Sequence, residues 1–299
     1  MRIEQHAPDW LVALHEGDEA APHPATQTNL AGMLEGWRDW PLSMDFLNPA
    51  SPNHAWKGLM TRLYEEAIER TLGALPNGKV LDLACGIGRF AAPLTARGRT
   101  VHGIDATRPS LCAAAAHLAG TDARLVWGDV GALSALARHL DPPYDAALAI
   151  ELLCYLPEPA TVLRSLRPLL APGATLVLSV EAWPGALLTD PSGLSAEGDD
   201  ALSSHTLHEP GARWVHAYER DELTHLLKDT GFEVLAVEGS HYVLDGPLRA
   251  LADPSRLDGG AYDSTLLALE SRFREDPSLA PLPRAWLAIA RKADVTETW

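Results

Sequence analysis

Three aspartates that accompany short apolar runs are the residues of this chain whose type and spacing could do chemistry together. Asp82 lies in the apolar run at 80–83, and Asp105 and Asp129 end the next two apolar runs along the chain. Such runs predict buried strands of a parallel sheet, whose carboxyl ends meet at one edge and bind ligands there. Three successive strands would bring three carboxylates to that edge, and a nucleotide-like cofactor is the first hypothesis.

A glycine-rich turn follows the first of these strands. Gly86 and Gly88 lie in the segment Ala84-Cys85-Gly86-Ile87-Gly88, and helical spacing begins after it. Glycine has no Cβ, so the backbone can turn sharply and a ligand can lie against the main chain. Asp105 follows this loop at about the distance expected for an acid that binds a ribose. The loop and the acid together support the cofactor hypothesis.

The segment at 79–180 resembles class I S-adenosylmethionine-dependent methyltransferases. Asp82-Leu83-Ala84-Cys85-Gly86-Ile87-Gly88 matches the first motif of that family. The resemblance implies that the loop passes under the methionine moiety and that Asp82 helps to hold its amino group. It also implies that Asp105 binds the ribose hydroxyls and that Asp129 with Val130 flanks the adenine. The cofactor-binding residues predicted from it are Asp82, Ala84, Cys85, Gly86, Gly88, Asp105, Ala106, Gly128, Asp129, Val130 and Glu151.

Two positions in this set carry alternatives. The family usually has three glycines in the loop, and Ala84 replaces the first; its methyl group can fit if the residue keeps a negative φ. Glu151 comes directly after the fourth predicted strand. It could bind the cofactor, bind the acceptor, or cap the following turn.

A nicotinamide cofactor is the alternative to S-adenosylmethionine. Gly86-Ile87-Gly88-Arg89-Phe90-Ala91 satisfies the relaxed dinucleotide fingerprint, so the loop alone leaves this alternative open. The turn Leu170-Ala171-Pro172-Gly173 before the fifth strand is similar to a second methyltransferase hallmark. The glycine loop also lies far into the chain, and no second catalytic domain follows it. Methyl transfer is therefore the preferred interpretation.

The order of the predicted elements defines the fold class. Apolar strands alternate with helices from about residue 79, and the continuous apolar run at 144–151 is typical of a parallel strand buried on both faces. The last strand, at 285–292, resembles the antiparallel ending of the same family. We therefore predict an α/β fold with a seven-stranded, mostly parallel, doubly wound sheet, an antiparallel last strand and an N-terminal helical lid.

The chain is expected to divide at about residue 75. Residues 1–75 are predicted to form an N-terminal helical arm or lid, whose last helix shows apolar spacing over about 51–72. Packing against the sheet is the alternative role for that helix. Residues 76–299 are predicted to form the Rossmann-like methyltransferase domain. Two insertions are expected in it, a loop at about 182–217 and a helical segment at about 247–283.

Composition limits the partners and the compartment. The net charge is −16 and the 24 basic residues are scattered, which argues against nucleic acid and against a membrane surface as partner. No stretch approaches the ~20 apolar residues of a membrane span. Three cysteines, odd in number and far apart, indicate a reducing, cytoplasmic setting. The expected partner is a small-molecule or peptide acceptor, and a homodimer is possible.

Catalytic and acceptor-binding candidates must come from loops at the carboxyl edge of the sheet. His216, Tyr218 and Glu181 are the predicted catalytic residues, because a base is needed when the acceptor loses a proton. The predicted acceptor-binding residues are Trp183, Tyr155 and His241. His205 and His208 are three residues apart, but two ligands do not define a metal site, so no metal is predicted.

The sequence thus predicts an enzyme that transfers a methyl group from S-adenosylmethionine to a nitrogen or oxygen of a small metabolite or peptide. The alternatives are an NAD(P)-dependent oxidoreductase and a protein that binds S-adenosylmethionine without turnover.

Overall fold

A single large sheet organises the computed structural model, which describes residues 1–16, 47–51, 54–73, 78–189, 199–209 and 213–293. The strands are β1 (Ile3–Gln5), β2 (Lys79–Leu83), β3 (Thr100–Asp105), β4 (Arg124–Trp127), β5 (Tyr144–Ala149), β6 (Leu170–Glu181), β7 (Thr206–Glu209), β8 (Arg213–His216), β9 (Phe232–Ser240) and β10 (Ala285–Lys292). Eight of them form the sheet in the order β1-β4-β3-β2-β5-β6-β10-β9, and β7 and β8 form a separate antiparallel pair.

The strand directions confirm the predicted fold class. β1 to β6 are parallel to one another, and β10 runs antiparallel between β6 and β9. Because β10 is antiparallel, its first residue lies at the edge where β6 and β9 end. Ala285 therefore pairs with both Glu181 and Ser240. The ends of β2, β3, β4, β5, β6 and β9 and the start of β10 all meet at this carboxyl edge.

The predicted number of seven strands is wrong by one, because β1 adds to the outer edge beside β4. Ile3 pairs with Leu125 there, and the bidentate pair between Glu4 and Arg124 holds the strand. Leu11 of the next helix is completely buried in the core. Three residues are too few to show strand periodicity, so β1 could not be predicted from the sequence.

Helices cover both faces of the sheet. They are α1 (Asp9–Glu16), α2 (His54–Leu72), α3 (Ala91–Ala96), α4 (Arg108–His117), α5 (Leu133–Leu136), α6 (Pro159–Leu166), α7 (Gly185–Thr189), α8 (Asp199–Ser204), α9 (Arg220–Asp229) and α10 (Ala261–Glu275). Apolar residues of α2, α3 and α4 share one core cluster with Val80, and those of α5, α6 and α9 share the other with Leu81. Successive strand residues point to opposite faces, which separates the two clusters.

Helix α2 packs against two different parts of the protein. Ala67, Ile68 and Leu72 in its second half pack against the sheet face. Leu59 and Met60 in its first half pack instead against the segment that follows β9. The helix is thus anchored as scaffold, while its first half extends to the carboxyl edge.

The expected insertions hold more regular structure than the sequence indicated. The loop predicted at 182–217 contains α7, α8 and the β7–β8 hairpin. Residues 190–198 and 210–212 of it lie outside the described residues, as do 17–46, 52–53 and 74–75 of the predicted arm. The segment predicted at 247–283 carries α10, whose buried Leu266 packs beneath the chain that follows β9. The division into an arm and a catalytic domain stays a prediction.

No helix within the described ranges is long and apolar enough to cross a membrane.

Candidate active site

A cleft opens at the carboxyl edge, above the ends of β2, β3, β4 and β5. Six predicted cofactor-binding residues line it, namely Ala84, Asp105, Ala106, Asp129, Val130 and Glu151. The predicted acceptor-binding residue Tyr155 lines it too. Sequence reasoning missed the apolar and polar residues that complete the wall, which are Thr107, Gly131, Ala132, Leu152, Leu156, Pro157, Glu158, Thr161 and Val162. Their positions depend on how the chain folds after each strand, which spacing alone does not reveal.

Asp105 fixes the glycine loop to the end of β3. Its Oδ2 accepts a hydrogen bond from the Gly86 amide at 2.8 Å, and its Oδ1 accepts one from the Thr107 amide at 2.7 Å. Burial raises the pKa of Asp105, and the two amides oppose that rise. The carboxylate therefore both shapes the loop and faces the cleft.

Asp82 is buried beneath the same loop, and its Oδ2 has no hydrogen-bond partner among the described residues. Burial raises the pKa of Asp82 to about 7, with Arg89 opposing the shift and Asp105 adding to it. A buried carboxylate oxygen without a donor is costly. A cationic group placed beside it would relieve this cost.

The loop conformation corrects the expectation for Ala84. Its φ is +58°, so the negative φ on which the fit of its methyl group was conditional is not adopted. The turn requires the left-handed region here, as it does at Gly86 and Gly88, whose φ values are +54° and +82°. A non-glycine residue in that region is strained by about 1–2 kcal/mol. A Cβ added at Gly86 would have no other atom within 4 Å, so the main chain there faces open space.

Asp129 and Val130 form the cleft wall beyond the ribose acid. The Asp129 side chain accepts a hydrogen bond from the Gly131 amide at 2.7 Å and so caps a short 3₁₀ turn. Gly128 packs against Leu136 too closely for a side chain, since a Cβ would lie 3.0 Å from it. Cys85 is buried in the loop, and burial raises the pKa of its thiol well above the usual value. Neither of these two predicted cofactor-binding residues is among those that line the cleft.

Glu151 joins the cleft to a group of partly buried charges. Its Oε1 accepts a hydrogen bond from the Tyr64 hydroxyl at 3.2 Å, and its Oε2 accepts one from Arg89 at 3.0 Å. Burial alone would raise the pKa of Glu151, but Arg89 and Arg284 together lower it to about 2. The carboxylate is thus ionised at neutral pH. Its amide donates to Ser179 Oγ, and its side-chain oxygens accept from Tyr64 and Arg89 and not from the turn that follows.

The charge cluster, as we call it, comprises Lys57, Arg89, Glu151, Glu181, Asp245 and Arg284. Arg284, just before β10, lies 2.6 Å from Glu181 and 3.6 Å from Asp245. Lys57 of α2 lies 3.2 Å from Asp245. These pairs connect the first half of α2 to the ends of β5, β6 and β9. Sequence reasoning identified the two glutamates but missed the three cations, because they lie far apart along the chain.

Strained backbone is concentrated at this edge. Besides Ala84, the non-glycine residues Glu151, His241 and Asp245 have φ values of +54°, +61° and +67°. Such conformations cost about 1–3 kcal/mol each and persist where the surrounding structure fixes them, commonly at functional sites. The strain therefore supports the assignment of this edge as the active site.

His241 is completely buried next to the charge cluster. Its Nδ1 lies 2.9 Å from Ser240 Oγ, and its ring contacts the Tyr64 ring at 4.6 Å between centroids. Its Nε2 has no partner among the described residues. Burial lowers the pKa of His241 to about 3, with Arg284 adding to the shift.

The remaining predicted catalytic and acceptor-binding residues lie to one side of the cleft. His216 Nε2 is 2.7 Å from Glu222 Oε1, at the start of α9, and the Tyr218 hydroxyl donates to the Leu153 carbonyl at 3.4 Å. Burial raises the pKa of Tyr218 above its usual range. Trp183 stacks on His205 at 4.5 Å between ring centroids.

No group of three or more His, Cys, Asp or Glu side chains converges as a metal site within the described ranges. The side chain of His208 lies outside the described part of the chain.

The hydrogen-bond acceptors of the site fit S-adenosylmethionine. An ammonium group would supply the donor that Asp82 Oδ2 lacks, and vicinal hydroxyls would donate to Asp105. An adenine amino group could donate a hydrogen bond to Asp129. The main chain at Gly86 faces open space, so a ligand could lie against it without a steric clash. The acidic groups of the site therefore suit a cofactor that carries positive charge.

Comparisons with known proteins agree with this geometry. The profile of a family described as a methyltransferase domain matches residues 56–237. The ubiquinone biosynthesis O-methyltransferase of Leptothrix cholodnii is 30% identical over 177 residues, which are 58% of this chain and 72% of that protein. The enzyme of the same name from Alkalilimnicola ehrlichii is 29% identical over 112 residues, 38% of this chain and 45% of that protein. The chain thus spans less than half of the second relative.

Solved structures share the fold at lower identity. The 1,6-didemethyltoxoflavin-N1-methyltransferase of Burkholderia thailandensis, with bound 1,6-didemethyltoxoflavin and S-adenosylhomocysteine, has a TM-score of 0.55 and 19% identity, covering 92% of this chain and 93% of that chain. The magnesium protoporphyrin IX methyltransferase of Synechocystis, with bound S-adenosylhomocysteine, has a TM-score of 0.51 and 16% identity, covering 89% and 97%. At these low sequence identities, the structural similarity is evidence for a shared fold only.

Proposed function

This chain belongs to the class I S-adenosylmethionine-dependent methyltransferases, and from that premise we propose that it methylates an oxygen of a small molecule. Membership of the family makes the chain a methyltransferase and replaces the nicotinamide and non-catalytic alternatives. The cofactor is S-adenosylmethionine. The observation that carries the proposal is the buried, unpartnered Asp82 carboxylate beneath a glycine loop in the acid-lined cleft.

We propose distinct roles for the residues of the cofactor cleft. When bound, S-adenosylmethionine supplies an electrophilic methyl group on a positively charged sulfur. Asp82 accepts hydrogen bonds from the ammonium, Asp105 holds the ribose hydroxyls, and Asp129 with Val130 borders the adenine. Ionised Glu151, at the inner end of the cleft, opposes positive charge there. Alignment and exclusion of water provide most of the catalysis in a displacement of this kind.

Oxygen is favoured over nitrogen as the acceptor atom because both curated relatives described above are O-methyltransferases. The acidic chain favours a small molecule over a nucleic acid. A peptide acceptor and a homodimer stay predictions from the sequence.

The proposed acceptor position is the carboxyl edge beside Glu151, with Glu181, Tyr155 and His241 nearby. Tyr155 lines the cleft, and Glu181 is held there by Arg284. The contacts of His216 and Tyr218 favour a structural role, because one pairs with Glu222 and the other donates to a buried carbonyl. The stacking of Trp183 on His205 similarly favours packing. The proposed reaction therefore does not depend on these three side chains.

The experiment is a methyl-transfer assay with isotopically labelled S-adenosylmethionine and a panel of phenols, alcohols, amines and short peptides. We expect label in a hydroxylated small molecule, together with S-adenosylhomocysteine in equal amount, and at least a hundredfold loss of rate in Asp105→Ala. Label found only in amines or peptides would contradict the proposed acceptor. Asp122→Ala is the control, since this aspartate is exposed on a turn.

A further inference from the structure

We propose that His241 Nε2 is the atom that binds the hydroxyl of an uncharged acceptor and takes its proton as the oxygen is methylated. This inference rests on the proposed function and adds to it a catalytic residue and a class of acceptor. The evidence comes from the position of the ring, its free nitrogen, its protonation and the pairing of the surrounding charges.

The position of His241 is fixed at the carboxyl edge. The Arg284 amide donates to the His241 carbonyl at 3.1 Å, and Ser240 pairs with the first residue of β10. The ring lies against Tyr64, whose hydroxyl donates to Glu151 in the cofactor cleft. One aromatic side chain on α2 therefore separates the imidazole from the carboxylate that lines the cleft. Because this ring is itself completely buried, an acceptor that enters from the cleft must displace it to reach the imidazole, and we call the space so formed the acceptor chamber.

The free nitrogen of His241 is the second observation. Nδ1 lies beside Ser240 Oγ, and in the tautomer in which Nδ1–H donates to that oxygen, Nε2 is the nitrogen that can accept from a ligand. Nε2 is buried and has no hydrogen-bond partner among the described residues. A buried polar atom without a partner costs about 1–3 kcal/mol. A ligand hydroxyl that donates to Nε2 would remove this cost.

Burial and the neighbouring charges keep the ring neutral, so that Nε2 can accept a hydrogen bond from a hydroxyl. The groups that act on the ring from the packed elements are Tyr64 on α2, Arg89 after the loop, Glu151 after β5, Asp245 after β9 and Arg284 before β10. Lys57 and Glu181 pair with Asp245 and Arg284 behind them. Burial lowers the pKa of His241 most, Arg284 lowers it further, and Glu151 and Asp245 oppose the shift. The ring is thus unprotonated at neutral pH, and both carboxylates stabilise the proton once it arrives.

The charge cluster also indicates which acceptors the chamber takes. Within the described chain, each of its cations already faces a carboxylate, with Lys57 at 3.2 Å from Asp245 and Arg89 at 3.0 Å from Glu151. Arg284 lies 2.6 Å from Glu181. A carboxylate or phosphate on the acceptor would have to displace one of these partners. Recognition by an uncharged hydroxyl requires no such displacement.

The step balances in atoms and charge. The acceptor oxygen gains the methyl group, the bond from the methyl carbon to sulfur breaks with its electron pair left on sulfur, and the hydroxyl proton passes to His241 Nε2. The ring acquires a positive charge as the positive charge on sulfur disappears, so the net charge of the chamber is unchanged. Such conservation makes proton transfer to a buried imidazole less costly than it would be in isolation.

The test is calorimetric titration of the protein loaded with S-adenosylhomocysteine. The probes are phenol, catechol and benzyl alcohol, with protocatechuate as the carboxylated counterpart of catechol. We expect at least one uncharged probe to bind, His241→Ala to weaken it tenfold or more, and protocatechuate to bind no more tightly than catechol. His225→Ala, at an exposed position on α9, is the matched control and should bind like the native protein.

Several outcomes would overturn the inference. Equal probe affinities in His241→Ala and His225→Ala would do so, as would tighter binding of protocatechuate or the absence of any probe binding while S-adenosylhomocysteine still binds. Failure of the native protein to bind S-adenosylhomocysteine would instead count against the proposed function. Should His241→Ala fail to fold, nitrogen NMR of the native protein decides: catechol must shift the His241 Nε2 resonance, and an unshifted resonance refutes the proposal.

Discussion

At the scale of single residues, Asp82 links cofactor binding to pH. Its folded-state pKa of about 7 lies above the ordinary value of 3.8, so the ionised carboxylate disfavours the ligand-free fold. The stability of the ligand-free protein should therefore fall as pH rises from about 4 to about 7 and level off above. A cationic ammonium reverses this preference, because it pairs with the ionised form.

The first prediction concerns the affinity for S-adenosylhomocysteine. Below about pH 7, Asp82 must lose a proton to pair with the ligand ammonium, so the affinity should fall by up to tenfold per pH unit. Asp82→Asn should remove this pH dependence and weaken binding at pH 8 by roughly tenfold to a hundredfold. Calorimetry between pH 5.5 and 8.5 measures both effects. An unchanged pH profile in Asp82→Asn, with Asp122→Asn as control, would exclude Asp82 as the ammonium ligand.

The second prediction concerns strain at Ala84. Because its φ of +58° suits glycine, Ala84→Gly should raise the free energy of unfolding by roughly 0.5–1 kcal/mol. The same exchange at Ala116, exposed on α4, should lower it by about 1 kcal/mol. Urea unfolding of the two variants gives the comparison. Destabilisation of similar size in both would show that Ala84 is not strained.

At the scale of elements, β1 and α1 reach the cofactor cleft from outside the residues that match the family profile. His15 Nε2 on α1 lies 3.0 Å from the carbonyl oxygen of Ala106, and Trp127 Nε1 donates to the same oxygen at 2.9 Å. Ala106 follows the ribose acid Asp105 and lines the cleft. The N-terminal elements thus hold a wall of the site in place.

The third prediction separates this role from a general contribution to folding. His15→Ala should weaken S-adenosylhomocysteine about threefold to tenfold, because the Ala106 carbonyl loses one of its two contacts. Glu4→Ala removes the ion pair that anchors β1 to Arg124, so it should lower the melting temperature but leave the affinity nearly unchanged. Calorimetry and thermal unfolding of both variants provide the readouts. Identical affinities of the two variants for S-adenosylhomocysteine would show that α1 does not contribute to the cofactor site.

Strong periodicity explains which elements could be predicted. The strands and helices from Lys79 to the last strand carry continuous apolar runs or helical spacing, and their order fixed the fold class. β1 is too short for any period, and the β7–β8 hairpin lies in a region of turn-forming residues. The amphipathic face of helix α2 could be predicted from the sequence, but its contacts with the segment after β9 depend on tertiary packing.

At the scale of the whole molecule, the sequence predicted one half of the site better than the other. The cofactor half consists of local motifs, so Asp105 and Asp129 were identified and both line the cleft. The charge cluster instead joins residues as distant as Lys57 and Arg284, and no spacing rule connects them. The left-handed φ of Ala84 was also missed, because the turn and not the residue type determines it.

One calorimetric titration tests the central claim most directly. Purified protein is titrated with S-adenosylmethionine, S-adenosylhomocysteine and NADH, alongside Asp105→Ala and the exposed-site control Asp122→Ala. The account predicts micromolar binding of both sulfur nucleotides, at least tenfold weaker binding in Asp105→Ala, native-like binding in the control, and no binding of NADH. Binding of NADH alone, or equal affinity of the two variants for S-adenosylhomocysteine, would contradict the assignment of this cleft as the S-adenosylmethionine site.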